Sequence, residues 1–156
     1  MTHLSPDGTV SMVDVGEKSS TRREAVASAR VRLSGGTLDL LVRKALPKGD
    51  VLTTAKVAGI LAAKQTSSLI PLTHPLALSF VDIAFEIEEE RSSIAITATV
   101  RSEGKTGVEI EAMTACSIAA LTIYDMCKSA DHGIVIETIQ LERKSGGKSG
   151  TFIRKK

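Results

Sequence analysis

The chain has 156 residues, of which 42% are hydrophobic and only 3% aromatic, and its 20 basic groups nearly balance 18 acidic groups to leave a net charge of +2. A chain of this length can bury a core without disulfides or metal ions. Because aromatic residues are scarce, Ala, Val, Ile and Leu must form that core. The near balance of charge argues against a general nucleic-acid binder, which would carry a marked basic excess.

The cysteines and histidines predict neither a disulfide nor a metal site. If Cys116 and Cys127 lie on one helix, they are separated by roughly 16 Å at a rise of ~1.5 Å per residue, whereas a disulfide needs Cα atoms within about 7 Å. His3, His74 and His132 are scattered without metal-site spacing. No stretch resembles a signal peptide or approaches the ~18 apolar residues of a membrane span. We therefore expect a soluble cytoplasmic protein with no membrane partner and free thiols.

Hydrophobic periodicity predicts the elements in chain order. Residues 1–20 are polar apart from "MVDV" and are expected to form a flexible, extended arm. Every second residue from Ala25 to Leu33 is apolar, which is typical of a half-buried strand. In full, we predict a strand over 23–33, helices over 37–46 and 51–65, a loop over 66–76, strands near 76–90 and 92–103, a long helix over 107–129 and a last strand over 134–142.

The resulting order is β-α-α-β-β-α-β, in a single domain over 1–156. With the paired helices counted as one connection, this is a split-βαβ arrangement: an α+β, ferredoxin-like antiparallel sheet with helices packed on one face. Asp50 is placed to cap the second helix, and Thr106 with Glu109 forms a potential capping box for the long helix. The uncovered face of such a sheet is left for a partner, and small apolar residues there would suit subunit contacts.

The sequence contains two Gly-Lys motifs of the kind found in phosphate-binding loops. Gly-Lys-Ser lies within "KSGGKSG" at 144–150, and Gly-Lys-Thr lies at 104–106. A phosphate-binding loop needs a glycine five positions before the final Gly-Lys, but that position holds Glu142 in the first motif and Thr99 in the second. A nucleotide-hydrolase loop is therefore excluded by spacing.

The C-terminal segment, about 144–156, is predicted to be a flexible Gly/Lys-rich tail. Its basic residues include Lys144, Lys148 and Lys156. For residues 150–156 a solvated terminus is the preferred interpretation. For Lys144 and Lys148, the pattern leaves both a solvated and a functional interpretation open.

Two loop residues could take part in chemistry. Lys48 lies in the turn "PKGD", where an ordinary exposed lysine is the simpler interpretation. His74 precedes Pro75, which restricts it towards an extended conformation and presents the imidazole on a stiff loop. The ring could bind a ligand or be satisfied by loop carbonyls.

Paired charges mark both ends of the predicted long helix. Glu109 and Glu111 share a face in extended backbone but lie roughly 200° apart on a helix. They could cap the helix or accept hydrogen bonds from the edge of a guanine-like ring. Asp125 and Lys128, at i and i+3, meet on one helix face as a surface ion pair or as a lysine held ready for proton transfer. Together these groups suit proton transfer on a phosphorylated small molecule.

At these residues the chain resembles the MoaC family, the cyclic pyranopterin monophosphate synthases of molybdenum cofactor biosynthesis. The matching blocks run in order through nearly the whole chain: "MVDV", "KGDV", "LIPLTHPL", "GKTGVEIEA", "ALTIYDMCK" and "KSGGKSG". The resemblance implies conversion of 3′,8-cyclo-7,8-dihydro-GTP to cyclic pyranopterin monophosphate with release of pyrophosphate. It implies no required cofactor, with Mg²⁺ as an option alongside the triphosphate.

The resemblance also implies roles for particular residues. Asp125 matches the residue assigned to the active site, and Lys128 and Lys48 match lysines regarded as general acid and base groups. The positions that match substrate-binding or pocket residues are Leu72, Thr73, His74, Glu109, Ile110, Glu111, Asp14, Arg23 and Lys144. Thr73 and Ile110 depart from the commoner Cys and Met, which would affect affinity rather than the reaction.

The family is known as a hexamer, a trimer of dimers with sites at dimer interfaces, so the resemblance implies a homo-oligomer. It also suggests that the Gly/Lys-rich tail folds over a triphosphate as a cationic arm. Two alternatives stay open: a small RNA-binding ferredoxin-like module, which would need stacking aromatics on the exposed sheet face, and an inactive structural relative that binds no GTP analogue.

Overall fold

In the computed structural model, residues 8–155 are described, and they form a five-stranded sheet with four helices. The elements in chain order are β1 (Thr21–Arg32), α1 (Gly35–Val42), α2 (Val51–Lys64), α3 (Thr66–Leu69), β2 (Leu78–Glu88), β3 (Ser93–Gly104), α4 (Glu109–Cys127), β4 (Val135–Ser145) and β5 (Phe152–Ile153). Residues 1–7 of the predicted arm, including His3, and Lys156 of the predicted tail lie outside the described residues.

The sheet has the order β2-β3-β1-β4-β5, and every neighbouring pair is antiparallel. β1 and β2 are separated by β3, which is the split-βαβ arrangement. The predicted α+β fold is therefore confirmed. The neighbouring strands β1 and β3 pair through small residues, such as Ala27 opposite Ala98.

The core lies between the sheet and two helices. Every second residue of β1 from Ala25 to Val31 is buried, as the alternation predicts. α4 packs against both α2 and the sheet, and it buries a row of small residues, among them Ala112, Ala115 and Ala119. α2 approaches so closely at Gly59 that an added Cβ would lie 2.8 Å from the carbonyl oxygen of Ala115. Small side chains thus allow α2 and α4 to pack closely against each other.

Local capping chemistry explains the starts of α1 and α2 but not the start of α4. Asp50 caps α2 by accepting from the Thr53 amide at 3.1 Å, as predicted. α1 begins at Gly35 rather than 37, because Ser34 accepts from the Thr37 amide and caps it earlier. The predicted capping box is wrong: Val108 is the N-cap of α4, and it provides no side-chain cap.

The loop and strand ends also differ in detail. The predicted loop over 66–76 begins with the short helix α3. β4 runs to Ser145, past the predicted end at 142. β5 pairs with β4, and the Arg154 amide donates to the Glu142 carbonyl at 2.8 Å. Part of the predicted tail is therefore hydrogen-bonded to the sheet, while its flexibility stays a prediction.

The sheet face opposite the helices carries an ion-pair network. Glu24 accepts from both Arg101 and Arg143, and the side-chain hydrogen bond with Arg101 is the main cause that lowers the pKa of Glu24. Glu88 pairs with Arg30 through two hydrogen bonds of 2.9 Å, which likewise lower the pKa of Glu88. This face of the sheet therefore carries charged side chains as well as small ones.

Aromatic residues contribute little to this face. Phe85 and Tyr124 pack against the core. The guanidinium of Arg101 lies 4.6 Å from the centroid of the Phe80 ring and covers it. The RNA-binding alternative needs stacking aromatics here, so this arrangement gives it little support.

α4 is long and apolar enough, by length and composition only, to cross a membrane. Half of the relevant stretch is buried, and the helix packs against both α2 and the sheet. A core helix passes the same test, and the packing of α4 fits that interpretation.

Candidate functional site

Lys48, Asp125 and Lys128 form a three-residue cluster at the C-terminal end of α4. Lys48 Nζ donates to Asp125 Oδ2 at 2.8 Å and to the Asp125 carbonyl at 2.9 Å. Lys128 Nζ donates to Asp125 Oδ1 at 2.7 Å. The turn that carries Lys48 bends at Gly49, whose φ of 86° is left-handed. We call this arrangement the Asp125 cluster.

Electrostatics keep the Asp125 cluster ionised. Hydrogen bonds from Lys128 and then Lys48 lower the pKa of Asp125 to about 2. The same bond raises the pKa of Lys128. Both lysine side chains are roughly half exposed, at 42% for Lys48 and 51% for Lys128, so a ligand can reach them from solvent. The cluster presents two lysine side chains held in position by one carboxylate.

A second group of predicted residues surrounds a cavity of about 360 Å³ near the start of α4, which we call the His74 cavity. His74 Nε2 lies 2.8 Å from the Val13 carbonyl oxygen. This contact joins the histidine loop to the chain before β1. The predicted contact residues that line the cavity are Leu72, Thr73, His74, Glu109, Ile110 and Glu111.

Glu111 is the buried acid of the His74 cavity. It is only 4% exposed, and burial, followed by repulsion from Glu109, raises its pKa. A carboxyl group with a raised pKa can hold a proton closer to neutral pH than an exposed one can. In its protonated form Glu111 can donate as well as accept a hydrogen bond.

A larger cavity of about 660 Å³ adjoins the first, since Lys18, Thr106, Gly107 and Glu109 line both. Five basic residues line it: Lys18, Arg23, Lys105, Lys144 and Lys148. We call it the cationic cavity. Clustered ammonium and guanidinium groups favour a polyanionic ligand such as a polyphosphate.

The glycines of the C-terminal segment form the turn that closes the cationic cavity. Gly146 and Gly147 have left-handed φ values of 101° and 74°. A Cβ on Gly146 would collide with the Arg22 carbonyl oxygen, and one on Gly147 would collide with the Arg23 guanidinium. Only glycine fits this close approach, which explains the Gly-Gly pair between two lysines. Arg23 Nε also donates to the Gly104 carbonyl at 3.2 Å.

The structure brings the predicted site residues together in two groups rather than one. The Asp125 cluster lies at the end of α4 and the two cavities lie at its beginning. From Glu109 to Asp125 the helix spans ~24 Å at a rise of 1.5 Å per residue. Asp14 joins neither cavity lining; its Oδ1 accepts from the Gly16 amide at 2.7 Å.

Two lysines that sequence reasoning did not select line the site. Lys105 Nζ donates to the Gly16 carbonyl at 2.5 Å and ties the chain before β1 to the loop before α4. Lys18 lines both cavities. Lys105 belongs to the Gly-Lys-Thr motif, which lacks the spacing of a nucleotide-hydrolase loop and so gives no sequence signal for this lysine. Nothing local distinguishes Lys18.

Within residues 8–155, no group of three or more His, Cys, Asp or Glu side chains is placed to hold a metal ion. Cys116 and Cys127 are buried free thiols, as predicted, and burial raises the pKa of Cys116 to about 12.

An α+β fold with a cationic cavity beside one lined by histidine and carboxyl groups defines a protein built to bind a small, anionic, hydrogen-bonding molecule. Comparison with known proteins agrees with this class. The MoaC family matches residues 12–147, and the chain belongs to that family.

Similar proteins cover nearly the whole chain. A cyclic pyranopterin monophosphate synthase of Nitratidesulfovibrio vulgaris is 58% identical over 150 residues, which cover 96% of this chain and 93% of the relative. One of Bordetella pertussis is 56% identical over 152 residues, covering 97% and 94%. One of Pelotomaculum thermopropionicum is 53% identical over 155 residues, covering 99% and 91%.

Proposed function

We propose that this protein is a cyclic pyranopterin monophosphate synthase of molybdenum cofactor biosynthesis. In this proposal it is a phosphorus-oxygen lyase that converts 3′,8-cyclo-7,8-dihydro-GTP to cyclic pyranopterin monophosphate and pyrophosphate. Family membership and the shared name of relatives above 50% identity support the activity. The observation that carries the assignment to a site is the pair of adjoining cavities, one cationic and one lined by His74 and Glu111.

The cationic cavity is assigned to the triphosphate. Its volume of about 660 Å³ and its five basic residues suit a chain of phosphates. Lysine ammonium groups act there as point charges, and the glycine turn allows the backbone to approach the ligand. A Mg²⁺ ion carried by the triphosphate would bind through phosphate oxygens and water.

The His74 cavity is assigned to the heterocycle. Leu72 and Ile110 provide apolar walls, and the buried carboxyl of Glu111 provides a directional hydrogen bond to ring nitrogens or an exocyclic amine. In this assignment His74 fixes the wall of the cavity through its contact with the Val13 carbonyl, and its exposed edge faces the ligand.

The Asp125 cluster is assigned to proton transfer. Because the pKa of Lys128 is raised and that of Asp125 is about 2, the cluster starts the reaction with a charged lysine and an ionised carboxylate. Lys48 and Lys128 are the two groups placed to give or take a proton there. Opening of the purine ring and closure of the cyclic phosphate both require such transfers.

A second copy of the chain must bring the Asp125 cluster to the cavities. The two groups lie ~24 Å apart on one α4, which is too far for a single ligand to contact both. A two-fold interface can place the end of one copy at the beginning of the other, so we propose a homo-oligomer with shared sites. That this oligomer is a hexamer, a trimer of dimers located in the cytoplasm, is proposed from the family resemblance alone.

The direct test is incubation of the purified protein with 3′,8-cyclo-7,8-dihydro-GTP, followed by measurement of pyrophosphate and pterin product. Equal release of pyrophosphate and pterin is expected. An assembled, folded protein that makes neither would contradict the proposal and favour the inactive relative. Binding of GTP analogues to the same preparation separates loss of chemistry from loss of binding.

A further inference from the structure

Glu109 is the acidic residue in the lining of the cationic cavity, and it also lines the His74 cavity. Its Oε1 accepts from Lys144 Nζ at 2.7 Å. Both side chains are mostly buried, with 24% of Glu109 and 30% of Lys144 exposed. One of the five basic groups of the cavity is thus already neutralised by a carboxylate of the protein itself.

A polyphosphate oxygen and the Glu109 carboxylate would compete for the same ammonium group. Both are anions, and two anions held close together in a partly buried site repel each other strongly. A phosphate that binds Lys144 therefore favours movement of the Glu109 side chain away from it. The direction open to that side chain is set by the neighbouring backbone.

Gly107 leaves the space that the Glu109 carboxylate occupies. The Glu109 carboxylate lies directly over Gly107, since a Cβ on Gly107 would collide with Glu109 Oε2. Gly107 lines both cavities. The carboxylate therefore sits on the boundary between them, with no side chain beneath it.

We propose that Glu109 is a specificity-determining placeholder for the polyphosphate. Its carboxylate holds Lys144 in the empty site, the bound polyphosphate replaces it there, and the displaced carboxylate turns to the His74 cavity to accept a hydrogen bond from the heterocycle. The inference rests on the assignment of the two cavities to the two halves of the ligand. It explains how the site selects a nucleotide over free polyphosphate: a ligand without a heterocycle displaces Glu109 and offers it no new partner.

The test measures binding of inorganic tripolyphosphate by isothermal titration calorimetry at fixed ionic strength. Glu109→Gln removes the competing charge with little change of shape and is expected to bind tripolyphosphate about two- to fivefold more tightly than wild type. The control for net charge is Glu103→Gln, an exposed position outside both cavity linings, which is expected to match wild type. Damage to the structure would weaken binding, so the expected sign is diagnostic. Glu109→Ala provides the same comparison should Glu109→Gln not fold.

A double-mutant cycle with Lys144→Gln separates competition from simple repulsion. If Glu109 competes for Lys144, the gain in tripolyphosphate affinity caused by Glu109→Gln disappears in the Lys144→Gln background. An equal gain in both backgrounds, or no gain over Glu103→Gln, overturns the proposal. The outcome is independent of turnover, since tripolyphosphate binding requires no reaction; failure of the wild type to convert the cyclised dihydro-GTP would instead count against the proposed function.

Discussion

Lys48 contacts both the side chain and the backbone of Asp125, with its ammonium group 2.8 Å from Oδ2 and 2.9 Å from the carbonyl oxygen. The two residues are 77 positions apart in the chain. A lysine from a turn is thus fixed at the end of the longest helix, beside Lys128, and the following predictions begin from this arrangement.

Asp125→Asn is expected to fold and assemble but to lose turnover by about 10²- to 10⁴-fold, the range of a general acid–base contribution. The amide keeps only one acceptor oxygen and removes the negative charge, so one of the two ammonium groups loses its side-chain partner. Steady-state pyrophosphate release measures the effect. Asp39→Asn is the matched control, since Asp39 forms an exposed ion pair with Arg43 at 2.9 Å on α1. Near-normal turnover of Asp125→Asn would remove Asp125 from the catalytic residues.

Lys48→Ala is expected to reduce turnover at least about 10²-fold, because it deletes one proton-transfer group. Lys56→Ala tests whether any exposed ion-paired lysine has this effect. Lys56 pairs with Asp82 at 2.7 Å and is 43% exposed, close to the 42% of Lys48. Equal losses in the two variants would show that the role of Lys48 is not specific.

Glu111→Gln is expected to change how stability depends on pH. Burial raises the folded-state pKa of Glu111 above its ordinary value of 4.5. Between the unfolded-state pKa and the raised folded-state pKa, the folded protein holds a proton that the unfolded chain has lost. The free energy of unfolding therefore falls as pH rises through this interval. The variant should lack this decline and be more stable than wild type at neutral pH.

Urea unfolding from pH 4 to pH 8, at one protein concentration, measures that effect. Glu103→Gln, at an exposed position, should keep the wild-type dependence. A decline that persists unchanged in Glu111→Gln would contradict the assignment. Turnover by Glu111→Gln should be low, since the directional contact to the heterocycle is altered.

Mixed oligomers test whether two copies share a site. Asp125→Asn and Glu111→Gln damage different halves of the proposed site and should each be inactive alone. With random pairing, about half of the dimers are mixed and one site of each mixed dimer is intact, so about a quarter of wild-type activity should return. Activity of co-expressed, separately tagged chains measures this. No recovery in verified mixed dimers would place both halves within one copy.

Gly147→Ala is expected to raise KM about three- to tenfold with a smaller change in kcat, because the added methyl group would displace Arg23 from the cationic cavity. Gly150→Ala is the matched control. Gly150 also has a left-handed φ, 65°, but an added Cβ there meets nothing within 4 Å. Both variants carry the backbone strain, so a KM effect confined to Gly147→Ala isolates the contact with Arg23.

Local patterns were sufficient to predict much of the fold. The alternation in β1 and the capping of α2 by Asp50 depend on neighbours in the chain, and both are confirmed. At the start of α4, the Glu109 carboxylate accepts from Lys144, 35 positions away, instead of taking part in a capping box. Propensity rules cannot include such a partner.

The site was harder to predict for the same reason. The i, i+3 pair of Asp125 and Lys128 follows from helix geometry and is confirmed. The approach of Lys48 to that pair and the inclusion of Lys18 and Lys105 in the cavity walls depend on how loops meet across the fold. For Lys48 only the family resemblance supplied a reason to choose it over other exposed lysines.

Helix α4 both positions Asp125 and packs in the core. One residue inserted within it would rotate everything beyond the insertion by about 100° around the helix axis, which would turn Asp125 away and carry its buried alanines out of contact with α2. The same change in the exposed turn at 89–91, between β2 and β3, would leave the helix and both cavities in place. Among natural relatives, differences in length should therefore accumulate in loops outside the cavities, while this helix keeps a constant number of turns.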